Sequence, residues 1–504
     1  MADNPKNYLS TAFGAPIIND NISQTAGKGG PILLQDVVLL EKLAHFGRER
    51  IPERVVHAKG AGAFGSFKLT ADVSKWTCAD FLNGVGKETE VFMRFSTVAG
   101  ERGYADADRD PRGFATKFYT AEGNYDLVGN NTPIFFIRDP MKFPDFIHSQ
   151  KRRPDNNLHD PNYKWDFWSL TPEALHQVAI LFSDRGTPRN FRTMHGFGSH
   201  TYMWYNAKNE YFWVKYHIVT KQGIQNFHRE EANEMFKKDP DHATRDLYDA
   251  LAAREYPSWE VKVQILTPAE VAKLPYDPFD VTKVWYHSDA PLSTIGTITL
   301  DKAPANYFQD VEQSAFNPSN FVPGIGPSPD KLLQGRLFSY HDTHLHRLGA
   351  NYHQIPVNQP RGVKSNHTNE RDSYLVNDSP AGAAPNFWPN SFGGPGPKPL
   401  NYPEVPLSGN AARYNVEVGP EDYEQPRALY NRVMTQEEKD RFLDNVADAM
   451  SGVIERIRLR SIVMFWKMEP EAAKILAKAT KTDIGKVEKL SKLSNAELVA
   501  QTAR

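Results

Sequence analysis

A stretch in the second half of the chain reads Arg336-Leu337-Phe338-Ser339-Tyr340-His341-Asp342-Thr343-His344-Leu345-His346-Arg347. It follows Ser328-Pro329-Asp330, an order typical of a helix start, with Ser as the N-cap, Pro as the first helical residue and an acid that the helix dipole favours. We therefore predict a helix from about Pro329 through Tyr340.

On that helix Arg336 and Tyr340 are four residues apart, so their side chains lie on one face and can touch. A phenol has a pKa near ~10 in water, and a guanidinium against its oxygen favours the phenolate, the form that ligates ferric iron. The pair is a candidate anionic metal ligand with its own counter-charge. The alternative is an ordinary amphipathic helix on which Tyr340 covers a core and Arg336 is a surface charge.

Composition limits the class of protein. The 504 residues can bury a large core, and this length fits about three domains or one large domain with attachments. A net charge of -2 gives no electrostatic footprint for nucleic acid or an anionic membrane. The single cysteine, Cys78, can form neither an internal disulfide nor a zinc cluster, which favours an intracellular protein.

Targeting signals and membrane spans are not expected. No segment approaches the ~20 apolar residues of a membrane span. Residues 1–5 lack the basic and apolar regions of a signal peptide, and Gln501-Thr502-Ala503-Arg504 is not a peroxisomal address. We therefore expect a cytoplasmic protein.

The first two of four predicted regions are an arm and a strand-rich core. Residues 1–57 form the arm, with one helix at about Leu34 to Phe46 from its apolar spacing. Residues 58–301 form the core, with strands predicted at 65–70, 91–96, 113–119, 211–216 and 259–265. Short strands close together favour an antiparallel sheet or barrel, and helices starting at Thr171 and about Glu230 make the class α+β.

The other two regions are a wrapping segment and a helical domain. Residues 302–420 contain the helix above and then many prolines that exclude regular structure: Pro356, Pro360, Pro380, Pro385, Pro389, Pro395, Pro397, Pro399, Pro403 and Pro406. Aromatic residues within this segment need a surface to cover, which a second chain could supply. Residues 421–504 read as helical, with a capping box at Thr435 and Glu438 and an apolar stripe from Phe442 to Ile457.

Upstream, His57 precedes a mostly small-residue run, Ala58-Lys59-Gly60-Ala61-Gly62-Ala63, that lets a flat ligand approach closely. By itself, this run is explained by a structural turn. As full strings, however, residues 48–65 and Arg336 to His344 resemble the active-site and proximal haem-ligand signatures of the monofunctional haem catalases, in which tyrosine is the axial ligand. Residues 94–100 and 126–133 resemble two further strings of that family, and the likeness runs from about Thr11 to the C-terminal helices.

The resemblance implies a fold, a reaction and an assembly. The fold would be α+β, with an antiparallel eight-stranded β-barrel core, the N-terminal arm, the wrapping segment and the C-terminal helical domain. The cofactor would be haem b with ferric iron, and two hydrogen peroxide molecules would be converted to water and dioxygen through a high-valent iron-oxo intermediate. The family's small-subunit type is usually a homotetramer, which the arm and the wrapping segment support.

The resemblance also assigns roles to residues. Tyr340, paired with Arg336, would ligate the iron, and His57 would move protons near neutral pH. Ser96 would accept a hydrogen bond from the other imidazole nitrogen and fix the tautomer, and Asn130 would hold the peroxide. Further haem contacts would be Arg54, Arg94 and Arg347 at the propionates, Val56 and Phe143 on the porphyrin, and Phe135 and Phe136 along the access route.

A second cofactor, NADPH, is implied by a weaker match. The matching residues are His176, Ser183, Arg185, Val284, Trp285, His287 and Gln425. Departures from the family pattern are Val219 in place of a phosphate-facing lysine, Ile180 and Leu429 in place of aromatic residues, and His195 in place of an asparagine. Since losing a cation weakens a site for an anion, these departures count against NADPH, and no Gly-rich phosphate loop offers another site.

Two rival functions remain open at this point. One is a metal-dependent hydrolase that uses His341, His344 and His346, which fits zinc only if the chain turns there. The other is a haem protein that stores haem, or one that acts on lipid hydroperoxides. An absorption spectrum separates haem from zinc, and oxygen release from peroxide separates a catalase from the rest.

Overall fold

The computed structural model describes residues 8–379, 381–414 and 418–503; residues 1–5, Pro380 and Arg504 lie outside these described ranges. The chain forms two compact units, residues 1–53 and 54–504. In the first unit, α1 spans Val37–Phe46. It starts later than predicted because the Asp36 side chain caps it by accepting a hydrogen bond from the Leu39 amide.

Strands dominate the first half of the second unit. In the described residues they are β1 Gly60–Leu69, β2 Glu88–Thr97, β3 Arg112–Thr120, β4 Gly123–Asn130, β5 Gly196–Phe197, β6 Tyr202–Tyr205, β7 Tyr211–Thr220, β8 Ser258–Leu266, β9 Ser293–Lys302 and β10 Ile325–Gly326. All five predicted strands are confirmed in outline. Strand β1 begins earlier than predicted. The small residues after His57, which we expected to let a ligand approach, also pair with β2.

The strands close into a barrel. Eight of them follow the order β7-β5-β4-β3-β2-β1-β9-β8, and β7 also pairs with β8, so the ring has no open edge. Strand β6 pairs with β7 outside this ring, and β10 pairs with β6. All the pairings are antiparallel, as the register of each pair shows. The predicted antiparallel eight-stranded barrel is confirmed.

Alternation along the strands decides which side chains fill the barrel. On β8 the side chains of Trp259, Val261 and Val263 are buried, and the residues between them are half-exposed. Phe95 on β2 and Phe114 on β3 meet edge to face at 5.1 Å, and both also contact the Trp259 ring. Their neighbours in sequence therefore point to the outer face of the barrel.

Helices surround the barrel and make up the C-terminal part. Within the described residues they are α2 Phe143–Gln150, α3 Pro161–Leu170, α4 Leu175–Phe182, α5 Arg229–Lys238, α6 His242–Ala252, α7 Pro268–Val271, α8 Lys331–Leu348, α9 Glu421–Ala428, α10 Gln436–Ala449, α11 Glu455–Met468, α12 Pro470–Ala479, α13 Ile484–Ser491 and α14 Asn495–Gln501. The predicted capping box of Thr435 and Glu438 is confirmed. The apolar stripe that begins at Phe442 is divided between α10 and α11.

Helix α8 differs from the prediction at both ends. Its N-cap is Asp330, whose carboxylate accepts hydrogen bonds from the amides of Leu332 and Leu333 at 2.9 and 3.1 Å. Ser328 is not the cap, because its hydroxyl donates to the Thr201 carbonyl instead. The helix continues past Tyr340 until Gly349, which has a φ of 108°.

Apolar packing joins α8 and the C-terminal helices into a second core. This cluster contains Trp165, Trp168, Val446 and Phe465, each 2% exposed or less, together with Leu332 of α8. After the turn at Tyr352–Gln354, the described part of residues 355–420 has neither helix nor strand, as the prolines predict. Among the described residues, no helix has the length and apolar composition needed to cross a bilayer.

Candidate active site

A row of residues crosses the outer face of the barrel. Ser96 on β2 pairs with Gly113 on β3, and Gly113 pairs with Asn130 on β4. The adjacent residues Phe95 and Phe114 point into the barrel, so this row points outward. Strand register therefore brings Ser96 and Asn130, which are far apart in sequence, to the same surface.

His57 lies directly before β1 and faces this row. Its amide donates to the Val98 carbonyl at 3.1 Å, and its backbone has a φ of 63°, an uncommon conformation for a residue with a side chain. Its Nδ1 atom is 2.9 Å from the Ser96 hydroxyl oxygen. Burial, and then the positive charges of Arg94 and Arg336, lower the pKa of His57 to about 3. The imidazole is therefore neutral at physiological pH.

Gly113 makes room for this contact. A Cβ atom on residue 113 would lie 2.2 Å from the Ser96 hydroxyl oxygen and 2.6 Å from His57 Nδ1, well inside van der Waals distance. Any other residue would displace one of the two side chains. No pattern in the sequence marks Gly113, because its position opposite Ser96 depends on the register of β2 and β3.

Asn130 is the last residue of β4, and its environment differs from that of Asn131. Its side chain is half-buried on the outer face of the barrel. The buried Asn131 side chain instead accepts a hydrogen bond from the Arg112 amide at 2.7 Å and extends the pairing of β3 with β4 at its open end. Of the two neighbouring asparagines, Asn130 is the one placed to meet a ligand.

Helix α8 packs against the same face through Arg336. The Nη2 atom of Arg336 donates to the Val128 carbonyl of β4 at 2.9 Å and to the Tyr340 phenolic oxygen at 2.8 Å. Burial opposes the charge of Arg336, but the Tyr340 and Tyr202 side chains and the Asp330 carboxylate outweigh it and raise the pKa of Arg336. The phenolic oxygen thus has a permanent cation beside it. Val128 and Asn130 are two apart on β4, so their side chains share the outer face of the barrel.

Three arginines gather beside His57. The Arg94 guanidinium donates to the carbonyls of His57 and Ala58 at 3.0 and 3.2 Å. Arg54 donates to the Ser314 carbonyl at 2.9 Å, and Arg347 donates to the same carbonyl at 3.0 Å. Burial lowers the pKa of each guanidinium, and for Arg54 the charges of Arg94 and Arg347 lower it further.

Two N–H donors of this arginine cluster lack an acceptor in the described part of the chain. Among the described residues, no protein group accepts from Arg54 Nη1 or Arg94 Nε, although both atoms are buried. Buried donors normally find a partner, and guanidiniums bind carboxylates well. The cluster therefore fits a ligand that brings carboxylates, as the two propionates of haem would.

The face between His57 and Tyr340 is lined by small and apolar side chains. Gly62 and Ala115 flank Arg94 across the strands, and a Cβ on Gly62 would lie 2.6 Å from the Phe92 ring. Val56 and Phe143 are half-buried against the second apolar core, where Phe143 stacks with Phe135 at 6.2 Å. Small residues, apolar walls and free guanidinium donors together suit a flat, carboxylate-bearing ligand such as haem.

A cavity of about 330 Å³ opens next to this face. Val98, whose carbonyl holds the His57 amide, lines it together with Asp110, Phe136 and Phe146. Phe135, which the sequence also suggested as lining, is not among the residues that line it. Burial, and then Asp108, raise the pKa of Asp110 to about 6. No motif in the sequence marks Asp110.

Residues matched to an NADPH site are largely engaged within the protein. The Gln425 side chain bonds the amide and the carbonyl of Val284 at 2.8 and 3.0 Å. The Ser183 hydroxyl donates to the Ile180 carbonyl, and His176 contacts the Thr282 carbonyl. Trp285 is buried, whereas Arg185 and His287 are exposed.

The three histidines of the zinc alternative do not share one face of α8. Because α8 continues through His346, this residue does not share a face with His341 and His344. The His344 ring contacts the Phe316 carbonyl at 2.8 Å, and His341 contacts the Tyr352 hydroxyl. In the described part of the chain, no group of three or more His, Cys, Asp or Glu side chains could hold a metal ion.

Comparison with known proteins gives one consistent family. The family described as Catalase matches residues 10–394, and the family described as Catalase-related immune-responsive matches residues 418–480. The catalase of Methanosarcina barkeri is 55% identical over 503 residues, and the alignment covers 99% of this chain and 99% of that one. Catalase-A of Dictyostelium discoideum is 54% identical over 491 residues, covering 97% of this chain and 99% of its own.

Solved structures agree with these sequence relatives. A fungal catalase superposes with a TM-score of 0.92 at 43% identity, covering 95% of this chain and 97% of that structure. The chain belongs to the catalase family of haem enzymes, and it catalyses the disproportionation of hydrogen peroxide to water and dioxygen.

Proposed function

We propose that two groups of residues, one on helix α8 and one at the outer barrel face, carry the catalase reaction of this chain. Tyr340 and Arg336 would hold the iron of haem b, and His57, Ser96 and Asn130 would act on the peroxide. The observation that carries this proposal is the 2.9 Å contact between His57 Nδ1 and the Ser96 hydroxyl, made possible by Gly113. Bound haem iron would supply the two-electron redox chemistry that peroxide disproportionation requires.

Proton transfer falls to His57. The Nδ1–H group donates to Ser96, which leaves Nε2 unprotonated and able to accept a proton from one peroxide oxygen. The imidazolium then returns that proton to the other oxygen, so that cleavage of the O–O bond releases water. Because the pKa of His57 lies near 3, the imidazole returns to its neutral form after each transfer.

Asn130 and the arginines position the reactants. The Asn130 amide would donate a hydrogen bond to a peroxide oxygen and keep the substrate within reach of His57. Arg54, Arg94 and Arg347 would bind the haem propionates, and Val56 and Phe143 would pack on the porphyrin. The cavity beside Val98 and Phe136 supports a route by which peroxide reaches His57.

The experiment that tests these roles measures iron ligation and turnover separately. Tyr340→Phe removes the phenolic oxygen and should abolish the absorption features of a tyrosine-ligated ferric haem. Ser96→Ala should keep those features and reduce oxygen release from hydrogen peroxide. If Tyr340→Phe keeps the wild-type spectrum, the proposed iron ligand is wrong.

NADPH is proposed as a second cofactor beside haem. Among the residues matched to the NADPH site, Arg185 is the exposed cation. The Lys262 ammonium already forms an ion pair with the Glu260 carboxylate at 3.0 Å. We therefore expect weak NADPH binding on the surface near Arg185 and His287, as in the small-subunit type. A titration that follows the fluorescence of NADPH tests it: Arg185→Ala should remove the binding, and an absence of binding to the wild type would rule it out.

Assembly, location and domain division belong to the same proposal. Exposed rings in the wrapping segment, including Tyr374, Trp388 and Phe392, support a homotetramer in which this segment covers a second chain. Sedimentation velocity should then give four times the chain mass. We expect no nucleic-acid or membrane partner. We also expect a cytoplasmic location, which imaging of a tagged chain tests. Domain boundaries are expected near residues 57, 301 and 420.

A further inference from the structure

Glu312 is a buried acid that the proposed reaction does not use. It ends the turn Phe308–Glu312 and is 2% exposed. Within the described part of the chain, neither of its carboxylate oxygens has a hydrogen-bond donor, although Arg102 Nη1 lies 3.7 Å from one of them. Burying a carboxylate without hydrogen bonds costs several kcal/mol unless nearby charges compensate for it. Arg102, whose side chain is 38% exposed, supplies one such charge, and the arginine cluster lies on the backbone side of the same residue.

The backbone of Glu312 ties it to the arginine cluster. Its carbonyl oxygen accepts from Arg54 Nη2 at 3.0 Å and from Arg347 Nη1 at 2.8 Å. Two of the three guanidiniums therefore bind the backbone of the residue that carries this carboxylate. These backbone contacts fix Glu312 next to the cluster, and the charge of its carboxylate acts on the guanidiniums through space.

The electrostatic effect on the arginines points the same way. Burial lowers the pKa of Arg54, Arg94 and Arg347, whereas the charge of Glu312 raises the pKa of all three. Three guanidiniums in a low-dielectric site repel one another, and the Glu312 carboxylate is the acidic side chain that opposes this repulsion in all three cases. The Tyr307 phenol raises the pKa of Arg54 and of Arg94 but is not among the causes that shift the pKa of Arg347.

We propose that Glu312 is the fixed counter-charge of the propionate site. This inference rests on the proposed role of Arg54, Arg94 and Arg347 in binding the haem propionates. Before haem binds, the Glu312 carboxylate stabilises the three guanidiniums. After haem binds, Glu312 and the two propionates together neutralise them, so Glu312 competes with the propionates and limits how tightly the haem is held.

Glu312→Gln removes the charge and keeps the shape of the side chain. Two effects of opposite direction follow. The haem-free protein should unfold at a lower temperature than wild type, because the guanidinium repulsion is no longer opposed. The haem-loaded enzyme should release haem about tenfold more slowly to an excess of a haem-free globin, the factor that ~1.4 kcal/mol produces.

Matched variants separate charge from packing and from the proposed site itself. Glu312→Asp keeps the charge and should release haem at close to the wild-type rate; if it behaves like Glu312→Gln, the proposal fails. Glu437→Gln, at an exposed position on α10, should change nothing. Arg54→Gln should release haem faster.

The outcomes distinguish two failures. If Arg54→Gln releases haem at the wild-type rate, the arginines do not hold the propionates and the proposed site is wrong. If Arg54→Gln is faster while Glu312→Gln is unchanged or faster, the site stands and the counter-charge role of Glu312 is overturned. A Glu312→Gln chain that cannot be loaded with haem also overturns it, because the proposal requires tighter binding.

Discussion

Arg336 and Tyr340 lie one turn apart on α8, and the guanidinium donates to the phenolic oxygen at 2.8 Å. The same guanidinium nitrogen donates to the Val128 carbonyl on β4, so one side chain both positions the helix on the barrel and places a cation at the phenolic oxygen. Positive charge there stabilises negative charge on the oxygen that we propose as the iron ligand.

Replacing Arg336 should therefore weaken iron ligation. A hydrogen bond to a charged group contributes about 1.5–3 kcal/mol, so Arg336→Gln should reduce the haem content at limiting haem by roughly tenfold or more. Absorption spectra recorded during haem titration measure this. Arg432→Gln, at an exposed position in the C-terminal region, is the control and should bind haem like the wild type. Equal affinity in both variants would show that Arg336 does not support the ligand.

Ser96→Ala should affect turnover and leave haem binding intact. The change removes the partner of His57 Nδ1, so the imidazole loses its fixed tautomer and orientation. Losing such a supporting hydrogen bond typically costs about 10–100-fold in activity. Initial oxygen release, normalised to haem absorbance, gives the comparison. Activity within twofold of wild type would mean that the Ser96 contact has no role in catalysis.

Gly113→Ala should disturb the same pair by crowding it. The added Cβ would overlap the Ser96 hydroxyl and His57 Nδ1, and a misplacement of about 1 Å can cost ~10²-fold in rate. In the Ser96→Ala background one of the two clashes is gone, so the further loss caused by Gly113→Ala should be smaller there. Equal losses in both backgrounds, measured as oxygen release per haem, would contradict this coupling.

The pH dependence follows from the lowered pKa of His57. Neutral imidazole is present down to about pH 3, so oxygen release should show no inflection near the ordinary value of 6.5. Between these two pH values the unfolded chain binds a proton at His57 and the folded chain does not, so the free energy of unfolding falls as the pH falls. His344, with a pKa lowered by burial to about 3, adds to this loss.

Measurements at a series of pH values check both statements. The rate of oxygen release should be flat from pH 5 to 8, and the urea midpoint should decrease from pH 6.5 towards pH 4. A rate profile with a midpoint near 6.5 would show that the imidazole titrates as an exposed histidine does.

The sequence predicted local features well. Spacing on one helix was enough to predict the Arg336 and Tyr340 contact, and alternation was enough to predict strands such as β8. Family strings added the barrel and the candidate residues. Helix α8 was placed wrongly at its start, because a tertiary hydrogen bond to Thr201 uses the Ser328 hydroxyl and leaves Asp330 as the cap.

Features that depend on contacts between distant segments could not be predicted. The role of Gly113 depends on the register of β2 against β3, and Glu312 joins the arginines only because residues 54, 94, 312 and 347 meet in the folded chain. Nor does any local pattern indicate the cavity beside Val98 and Asp110, which forms between the barrel and the helices.

The central claim is that His57 moves the protons while Tyr340 holds the iron. The most direct test is the rate of oxygen release by His57→Ala, measured on protein whose ferric haem spectrum matches that of the wild type. Loss of a general acid and base predicts a decrease of about 10²–10⁴-fold with haem still bound. A His57→Ala enzyme that keeps its haem and most of its oxygen release would contradict the account.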